Sequence, residues 1–260
     1  MTLRIGNAPV SFGAWSLAAA RAPGVPAPER ILQALADAGY EGVELGPLGF
    51  FADPAAIAAH GLTLSGGYVP IPFGAGLGPL DATLDVFDEV EPRARPILAD
   101  DGDANEPLDL DDVVRAVEHV RGRGYEPAFH HHVGTRVESE HEIERLLAHV
   151  DTPLLLDTGH LLAAGTDPVE ALRAWRDRVD YVHVKDVDLR TLRGAPDWPA
   201  AWRANVFCEL CTGDVDVRGF LDALDGFDGW LVIEQDWVPQ PGDDAGPQIA
   251  AQARNRAFVG

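Results

Sequence analysis

The stretch from Thr152 to Asp186, TPLLLDTGHLLAAGTDPVEALRAWRDRVDYVHVKD, contains one complete strand–helix–strand unit. The apolar run 152–157 predicts a short buried strand, Asp167 marks the N-terminus of a helix, and the run 179–184 predicts the next strand. Two strands joined through a helix run parallel in the same sheet. The stretch therefore predicts an α/β fold built on a parallel sheet.

The same alternation extends in both directions along the chain. We predict eight strands, near residues 5, 44, 65, 97, 129, 155, 182 and 232, with helices between nearly all of them. Eight such units in 260 residues match the size of a closed (β/α)8 TIM barrel. An open doubly wound sheet would usually carry a glycine-rich phosphate turn after its first strand, and residues 8–13 (APVSFG) do not form one. We expect one TIM-barrel domain over residues 1–260, with the Trp- and Pro-rich stretch 189–205 forming a loop and a short helix over its mouth.

The charge balance excludes several kinds of partner. Lys plus Arg number 20 and Asp plus Glu number 42, a net charge of −22, which argues against nucleic-acid and anionic membrane surfaces. No apolar run reaches the roughly 18 residues of a spanning helix, and the N-terminus lacks secretory-signal features, so we expect a cytoplasmic protein. The lone CxxC of Cys208 and Cys211 supports neither a disulfide scaffold nor a zinc ribbon.

Residues able to bind a metal follow four consecutive predicted strands. Active sites of TIM barrels lie at the C-terminal ends of the strands, so these side chains should meet at one rim. Imidazole and carboxylate together suit Mn, Co, Zn, Fe or, less well, Mg. Taken alone, Asp157 could be a helix cap, His183 a core histidine and Glu234 half of an ion pair. The four strand ends are His130-His131-His132, Asp157-Thr158-Gly159-His160, His183-Val184-Lys185-Asp186 and Glu234-Gln235-Asp236.

Side-chain alternation along a strand selects further residues. It favours His130 and His132 facing the lumen with His131 facing outward, although the reverse remains open. Lys185, the single lysine among 20 basic residues, lies two positions after His183 and should point the same way. The pKa of a lysine can fall when it is buried near other cations, whereas arginine stays charged. We expect Lys185 to act as an acid or base, the alternative being a surface lysine without function.

These motifs resemble the xylose isomerase-like TIM-barrel superfamily, which includes sugar and cyclitol isomerases, epimerases and dehydratases, and type-2 AP endonucleases. The motifs that carry the resemblance are GYEGVELG (39–46), DTGH (157–160), HVKD (183–186) and Glu234. Within the superfamily, NAPVSFG (7–13) and HHHVGT (130–135) resemble the inosose dehydratases of myo-inositol catabolism.

The resemblance implies roles for individual residues. Asp157, His183 and Glu234 match metal ligands of the family, and His160 matches a histidine that supports a ligand or binds substrate. The remaining family ligand is a glutamate on the fifth strand, where the best match here is His130, or else His132. Epimerases of the family use that glutamate together with one on the eighth strand, so this difference argues against a two-glutamate epimerase.

The predicted function is a divalent-metal-dependent reaction on a small keto-sugar or cyclitol. A proton α to a carbonyl is removed, as in a sugar isomerase, an epimerase or an inosose-type dehydratase. Glu234 or a histidine takes the proton, and Lys185 or His160 returns one. His132 is a candidate substrate-binding residue, with the aromatic side chains Trp15, Tyr68 and Trp237 as candidate apolar walls.

Two other functions share the same fold. A type-2 AP endonuclease-like hydrolase would need more metal ligands and a basic DNA groove, against which the net charge counts. A non-catalytic sugar-binding barrel would need no chemistry at the rim. For the enzyme we expect a small polyhydroxylated substrate and no nucleic-acid or membrane partner, and an oligomer is compatible with the sequence.

Overall fold

A computed structural model describes residues 3–74, 76–90, 92–102, 104 and 106–260. The strands within these residues are β1 (Arg4–Asn7), β2 (Gly42–Val43), β3 (Thr63–Leu64), β4 (Gly66–Pro70), β5 (Arg95–Ala99), β6 (Ala128–His130), β7 (Leu154–Asp157), β8 (Val179–Val184), β9 (Asp186–Val187), β10 (Phe207–Cys208) and β11 (Trp230–Ile233). The α-helices are α1 (Pro28–Ala38), α2 (Ala55–Ala59), α3 (Gly78–Asp88), α4 (Leu110–Gly122), α5 (Glu140–His149), α6 (Thr158–Ala163), α7 (Pro168–Trp175), α8 (Leu189–Gly194), α9 (Trp198–Arg203), α10 (Val217–Ala223) and α11 (Ala245–Val259).

Nine of these strands form one parallel sheet in the order β3-β2-β1-β11-β8-β7-β6-β5-β4. Its two ends, β3 and β4, are consecutive in the chain and separated only by Ser65. The Ser65 N–H donates to Val43 and its carbonyl accepts from the Arg95 N–H, so the sheet closes at this residue. Counting β3 and β4 as one bent strand gives the eight strands and the TIM barrel predicted above, and the prediction is confirmed.

The barrel has two apolar layers because successive strand side chains face opposite sides. One group of buried side chains fills the lumen, and the larger core lies between the strands and the surrounding helices. In the lumen, Leu155 is in register with Tyr181, and Tyr181 with Trp230. Two residues further on, Asp157 is in register with His183. The apolar side chains of the lumen therefore lie directly beneath the polar strand ends.

Two elements over the barrel mouth differ from the prediction. Residues 189–205 contain two short helices, α8 and α9, where one was expected, because Asp188 and Asp197 each cap a separate helix N-terminus. The residues before and after this segment pair as a small antiparallel ribbon of β9 and β10. This ribbon holds the segment next to the end of β8.

Gly42 marks a point where the strands and Trp230 approach very closely. A Cβ atom at this position would lie 2.5 Å from Trp230 Cη2 and 2.8 Å from the carbonyl oxygen of Thr63. Because the second contact is backbone, Gly42→Ala should lower the free energy of unfolding by about 1–3 kcal/mol. Urea denaturation followed by circular dichroism would measure this change.

The matched control is Gly122→Ala at the C-terminal end of α4, where an added Cβ meets nothing within 4 Å. This variant should be as stable as the parent or up to about 1 kcal/mol more stable. Equal stability of the two variants would contradict the close packing at Gly42.

Candidate active site

The four strand-end residues predicted as metal ligands lie together at the C-terminal end of the barrel. His130 ends β6, Asp157 ends β7, His183 lies near the end of β8 and Glu234 directly follows β11. None of them is more than 6% exposed. His130 Nε2 and His183 Nδ1 are each 3.6 Å from Asp157 Oδ2, and His183 Nδ1 is 3.1 Å from Glu234 Oε2.

The donor atoms of this cluster fit a divalent metal ion. His130 Nε2, Asp157 Oδ2 and His183 Nδ1 are buried without a hydrogen-bond partner, which is costly unless another group binds them. All three lie within 4.8 Å of one another. Ligands of a tetrahedral ion with bonds of about 2.05 Å lie about 3.3 Å apart, close to the separations in the cluster. His130, Asp157 and His183 thus offer two nitrogens and one carboxylate at a spacing suited to one ion, and Glu234 adds a carboxylate next to His183.

Asp157 combines a structural role with a place in this cluster. Its Oδ1 accepts a hydrogen bond of 2.9 Å from the His160 N–H and caps α6. Its Oδ2 faces His130 and His183. Burial alone would raise the pKa of Asp157, but His160, Lys185 and the other histidines lower it well below its ordinary value. The helix-cap role and the proposed ligand role therefore use different oxygens of one carboxylate.

His183 lies between two carboxylates that the chain supplies from distant strands. Its Nε2 donates to Glu44 Oε1 at 2.8 Å, and Glu44 also accepts a 3.0 Å hydrogen bond from the Tyr181 hydroxyl. A carboxylate on one ring nitrogen of histidine leaves the other nitrogen available for a metal and fixes the ring orientation. Burial would lower the pKa of His183, but Glu234 and Glu44 raise it well above its ordinary value. The two carboxylates therefore favour the charged form of the His183 imidazole over its neutral form.

Lys185 extends into the same cluster, as the alternation from His183 predicted. Its Nζ is 2.9 Å from Glu234 Oε2, 2.9 Å from Asp236 Oδ1 and 3.3 Å from Asp157 Oδ2. It is also 3.1 Å from His160 Nε2. Burial would lower the pKa of Lys185, but these carboxylates raise it well above its ordinary value. The direction is opposite to that of a lysine among cations, so the surroundings of Lys185 favour its charged form over the neutral form that a base would need.

The three consecutive histidines have three different surroundings. His130 joins the ligand cluster, and His132 lines the cavity above it with its ring centroid 3.8 Å from that of His160. His131 is fully buried and accepts a 3.1 Å hydrogen bond from the Asp157 N–H. Burial, followed by the neighbouring charge of His130, lowers the pKa of His132 to about 3. His132 is therefore neutral at physiological pH.

A cavity of about 670 Å³ lies above the cluster. Trp15, Tyr68 and His132 line it, as expected of substrate-binding residues, whereas Trp237 is absent from its lining. Glu234 and Asp236 both face Lys185, whereas the Gln235 side chain contacts Gln252 of α11. Trp237 is therefore not among the described residues that form the cavity wall.

Sequence reasoning assigned no role to two carboxylates of the site. Glu44 follows the apolar pair of β2 and would have been found by applying the strand-end rule to the second strand. Asp236 lies two residues after Glu234 and would have been found by alternation. Burial raises the pKa of Asp236 to about 6, against the opposing effect of Lys185. The site therefore contains four buried carboxylates rather than the two predicted.

Replacing Glu44 should weaken metal binding without removing a ligand. In Glu44→Gln the amide no longer holds His183 through a charged hydrogen bond, and loss of such a partner typically costs about 10- to 100-fold in metal affinity. Competition with a fluorescent zinc chelator would measure it. Glu41→Gln is the control, because the described contact of the Glu41 side chain is a hydrogen bond accepted from the Ile5 N–H, outside the site. Unchanged zinc affinity in Glu44→Gln would contradict the role of this carboxylate.

Comparison with known proteins agrees with this geometry. The chain is 32% identical over 139 residues to an inosose dehydratase of Geobacillus thermodenitrificans, an alignment covering 50% of this chain and 47% of that protein. The chain thus spans about half the length of the curated relatives it matches.

No helix among the described residues combines the length and apolar character needed to cross a membrane.

Solved structures with the same fold extend over nearly the whole chain. The IOLI protein with a bound zinc atom covers 99% of this chain and 98% of its own, with 12% identity and a TM-score of 0.69. A D-allulose 3-epimerase from Methylomonas sp. covers 99% and 96%, with 16% identity and a TM-score of 0.67. The family profile of the xylose isomerase-like TIM barrel matches residues 102–255, more than half of the chain. With barrel, strand-end cluster and profile in agreement, the chain belongs to the xylose isomerase-like TIM-barrel family.

Proposed function

We propose that this chain is a divalent-metal-dependent lyase that dehydrates a keto-sugar or keto-cyclitol of the inosose type. The observation that carries the proposal is the buried group of His130, Asp157 and His183, with Glu234 3.1 Å from His183 and a buried lysine 2.9 Å from Glu234. Ligands for a Lewis acid and a proton donor thus lie side by side at the base of one cavity. The relatives named inosose dehydratase support this reaction, as does a strand-five histidine where the epimerases of the family carry a glutamate.

Two neighbouring residues would move the protons of the reaction, Glu234 as the base and Lys185 as the acid. A divalent ion held by His130, Asp157, His183 and Glu234 would polarise the carbonyl oxygen of the substrate. Glu234 takes the proton from the α-carbon, and the electron pair of the broken C–H bond forms the double bond to the β-carbon. The β C–O bond breaks, and the hydroxyl leaves as water with a proton from Lys185.

The contact between these two residues would also reset the site. After one turnover Glu234 carries a proton and Lys185 lacks one, and 2.9 Å separates their Oε2 and Nζ atoms. Direct transfer across this hydrogen bond restores both groups, and no oxidant or reductant is consumed. His160, whose Nε2 lies 3.1 Å from Lys185 Nζ, holds the lysine in line and offers a second path for the same proton.

The test is to incubate the protein with a panel of candidate substrates in deuterated water and to identify the products by NMR. Inososes, ketoses and dehydroshikimate are incubated with protein whose metal content has been measured by elemental analysis. Loss of a hydroxyl from an inosose, abolished by exhaustive chelation and restored by a divalent metal, is the expected result. Full turnover after chelation, or no conversion of any panel member by the metal-loaded protein, would overturn the proposal.

Isomerisation or epimerisation is the second candidate. It is favoured by Asp236, a further buried carboxylate beside Lys185 that could receive or return a proton. The D-allulose 3-epimerase of the same fold acts within this class of chemistry. In the same experiment this reaction would introduce deuterium at one carbon without loss of water.

A further inference from the structure

Large apolar side chains are exposed at the mouth of the cavity. Among the described residues, the large hydrophobic side chains at least 36% exposed are Leu3, Trp15, Leu17, Leu48 and Tyr68. Trp15, Leu48 and Tyr68 all line the same cavity. Single exposed apolar residues are ordinary, but a contiguous group of them marks a binding surface.

Two tryptophans of α9 extend this surface. Trp198 and Trp202 are one helical turn apart, are half-buried and also line the cavity. The ring of Trp202 packs edge-on against that of Trp15, with 4.7 Å between the ring centroids. We call Trp15, Leu48, Tyr68, Trp198 and Trp202 the apolar rim.

The cavity is larger than an unsubstituted sugar requires. A cyclitol ketone has about 12 non-hydrogen atoms. Even if each atom occupied roughly 30 Å³, the volume of one water molecule in the liquid, the ketone would fill at most about 360 Å³. The cavity has about 670 Å³, so a sugar bound at the cluster of polar strand ends, the polar floor of the cavity, leaves nearly half of it open. The apolar rim belongs to the lining of the same cavity, so it can contact a group that extends from the sugar.

The charges of the cavity exclude an anionic group from this space. Among the described residues that line the cavity, Lys185 is the one basic side chain other than histidine, and it is already paired with three carboxylates. The acidic side chains of Asp100 and Asp101 also line it. A phosphate or carboxylate at the mouth would find no positive partner there.

We propose that the substrate is a keto-sugar or keto-cyclitol that carries an uncharged apolar substituent, such as an aromatic aglycone, and that the apolar rim binds this substituent. The proposal rests on the proposed function in one respect, because the polar floor is taken to hold the sugar ring. Aromatic side chains bind an aromatic ring through its apolar area and through edge or offset stacking. Trp15 and its partner Trp202 are the residues that determine this specificity.

The experiment compares two unreactive probes that lack a carbonyl group, phenyl β-D-glucopyranoside and methyl β-D-glucopyranoside. Ligand-observed NMR titrations of the full chain would give both dissociation constants. We expect the phenyl glycoside to bind at least about tenfold more tightly than the methyl glycoside. Trp15→Ala should remove most of that ratio, because it should weaken binding of the phenyl glycoside much more than binding of the methyl glycoside. Leu3→Ala, an equally exposed apolar residue outside the cavity lining, should keep the full ratio.

Several outcomes would overturn the proposal. These are equal affinities for the two glycosides, no binding of either, or an unchanged ratio in Trp15→Ala. Light scattering of the parent and of Trp15→Ala would expose another occupant, since an oligomer dissociated by this substitution would assign the rim to a second copy of the chain. The titrations need neither metal nor turnover, so they can fail while dehydration stands, and dehydration can fail while they succeed.

Discussion

Asp157→Asn should abolish metal binding and turnover while leaving the barrel folded. The amide keeps an oxygen that can accept the His160 N–H and cap α6. It replaces Oδ2, which faces His130, His183 and Lys185, with a neutral group that has no negative charge for a cation. Loss of a residue that only hydrogen-bonds to a metal ligand typically lowers metal affinity by about 10- to 100-fold. Because Asp157→Asn changes a ligand itself, we expect a larger loss. Elemental analysis after dialysis and turnover of the best panel substrate would measure both effects.

The control for this substitution is another capping aspartate. Asp167 caps α7 by accepting from the Val169 and Glu170 N–H groups, and it has no described contact with the site. Asp167→Asn should retain metal and turnover and change the free energy of unfolding by about 1 kcal/mol or less. If Asp157→Asn kept full metal occupancy, Asp157 would be only a helix cap.

The barrel and half of the site could be predicted because they depend on local sequence. Each strand is a short apolar run between turn residues, and the residue that follows it must lie at the C-terminal rim. Alternation from His183 then placed Lys185 in the lumen, and the same rule separates His131 from its two neighbours. These inferences need only the spacing along one strand.

The contacts across the lumen could not be predicted in the same way. The Glu44–His183 hydrogen bond joins residues 139 positions apart, from strands that are not neighbours in the sheet. Such a contact depends on the stagger of the strands around the barrel, which no local pattern encodes. The direction of the pKa shift of Lys185 was missed for a different reason. Glu234 and Asp236, which raise this pKa, follow β11, which pairs with β8 but comes much later in the chain.

Of the aromatic residues at the cavity mouth, some were proposed from the sequence and others are placed there only by tertiary structure. Trp15 and Tyr68 line the cavity, but nothing in the local sequence distinguished them from Trp237 as candidate wall residues. The wall formed by Trp198 and Trp202 depends on how α9 folds back over the barrel. Asp197 starts that helix, and the pairing of β9 with β10 holds the segment in place. A tertiary arrangement therefore decides which tryptophans face the substrate.

Lys185→Arg should reduce turnover by about 10²- to 10⁴-fold, the range that positioned proton transfer contributes. Arginine keeps the positive charge beside Glu234 and Asp236, but it does not give up a proton in proteins. Steady-state kinetics on the metal-loaded variant should show the loss in kcat, with KM little changed. Wild-type kcat in Lys185→Arg would show that Lys185 supplies charge alone and would remove it from the chemistry.

Lys185→Met removes the positive charge of this residue together with its proton, whereas Lys185→Arg keeps the charge. Lys185 is 1% exposed, so removing its ammonium leaves Asp157, Glu234 and Asp236 as buried carboxylates without their shared cation. Loss of one partner from a buried ion pair typically costs about 3–5 kcal/mol, so the metal-free variant should unfold at a lower temperature. A divalent metal would supply the missing positive charge and should restore part of that stability. Arg254→Met, which breaks the exposed pair with Glu209, should change the unfolding temperature little with or without metal. If added metal raised the unfolding temperature equally in both variants, Lys185 and the metal would not share the same carboxylates.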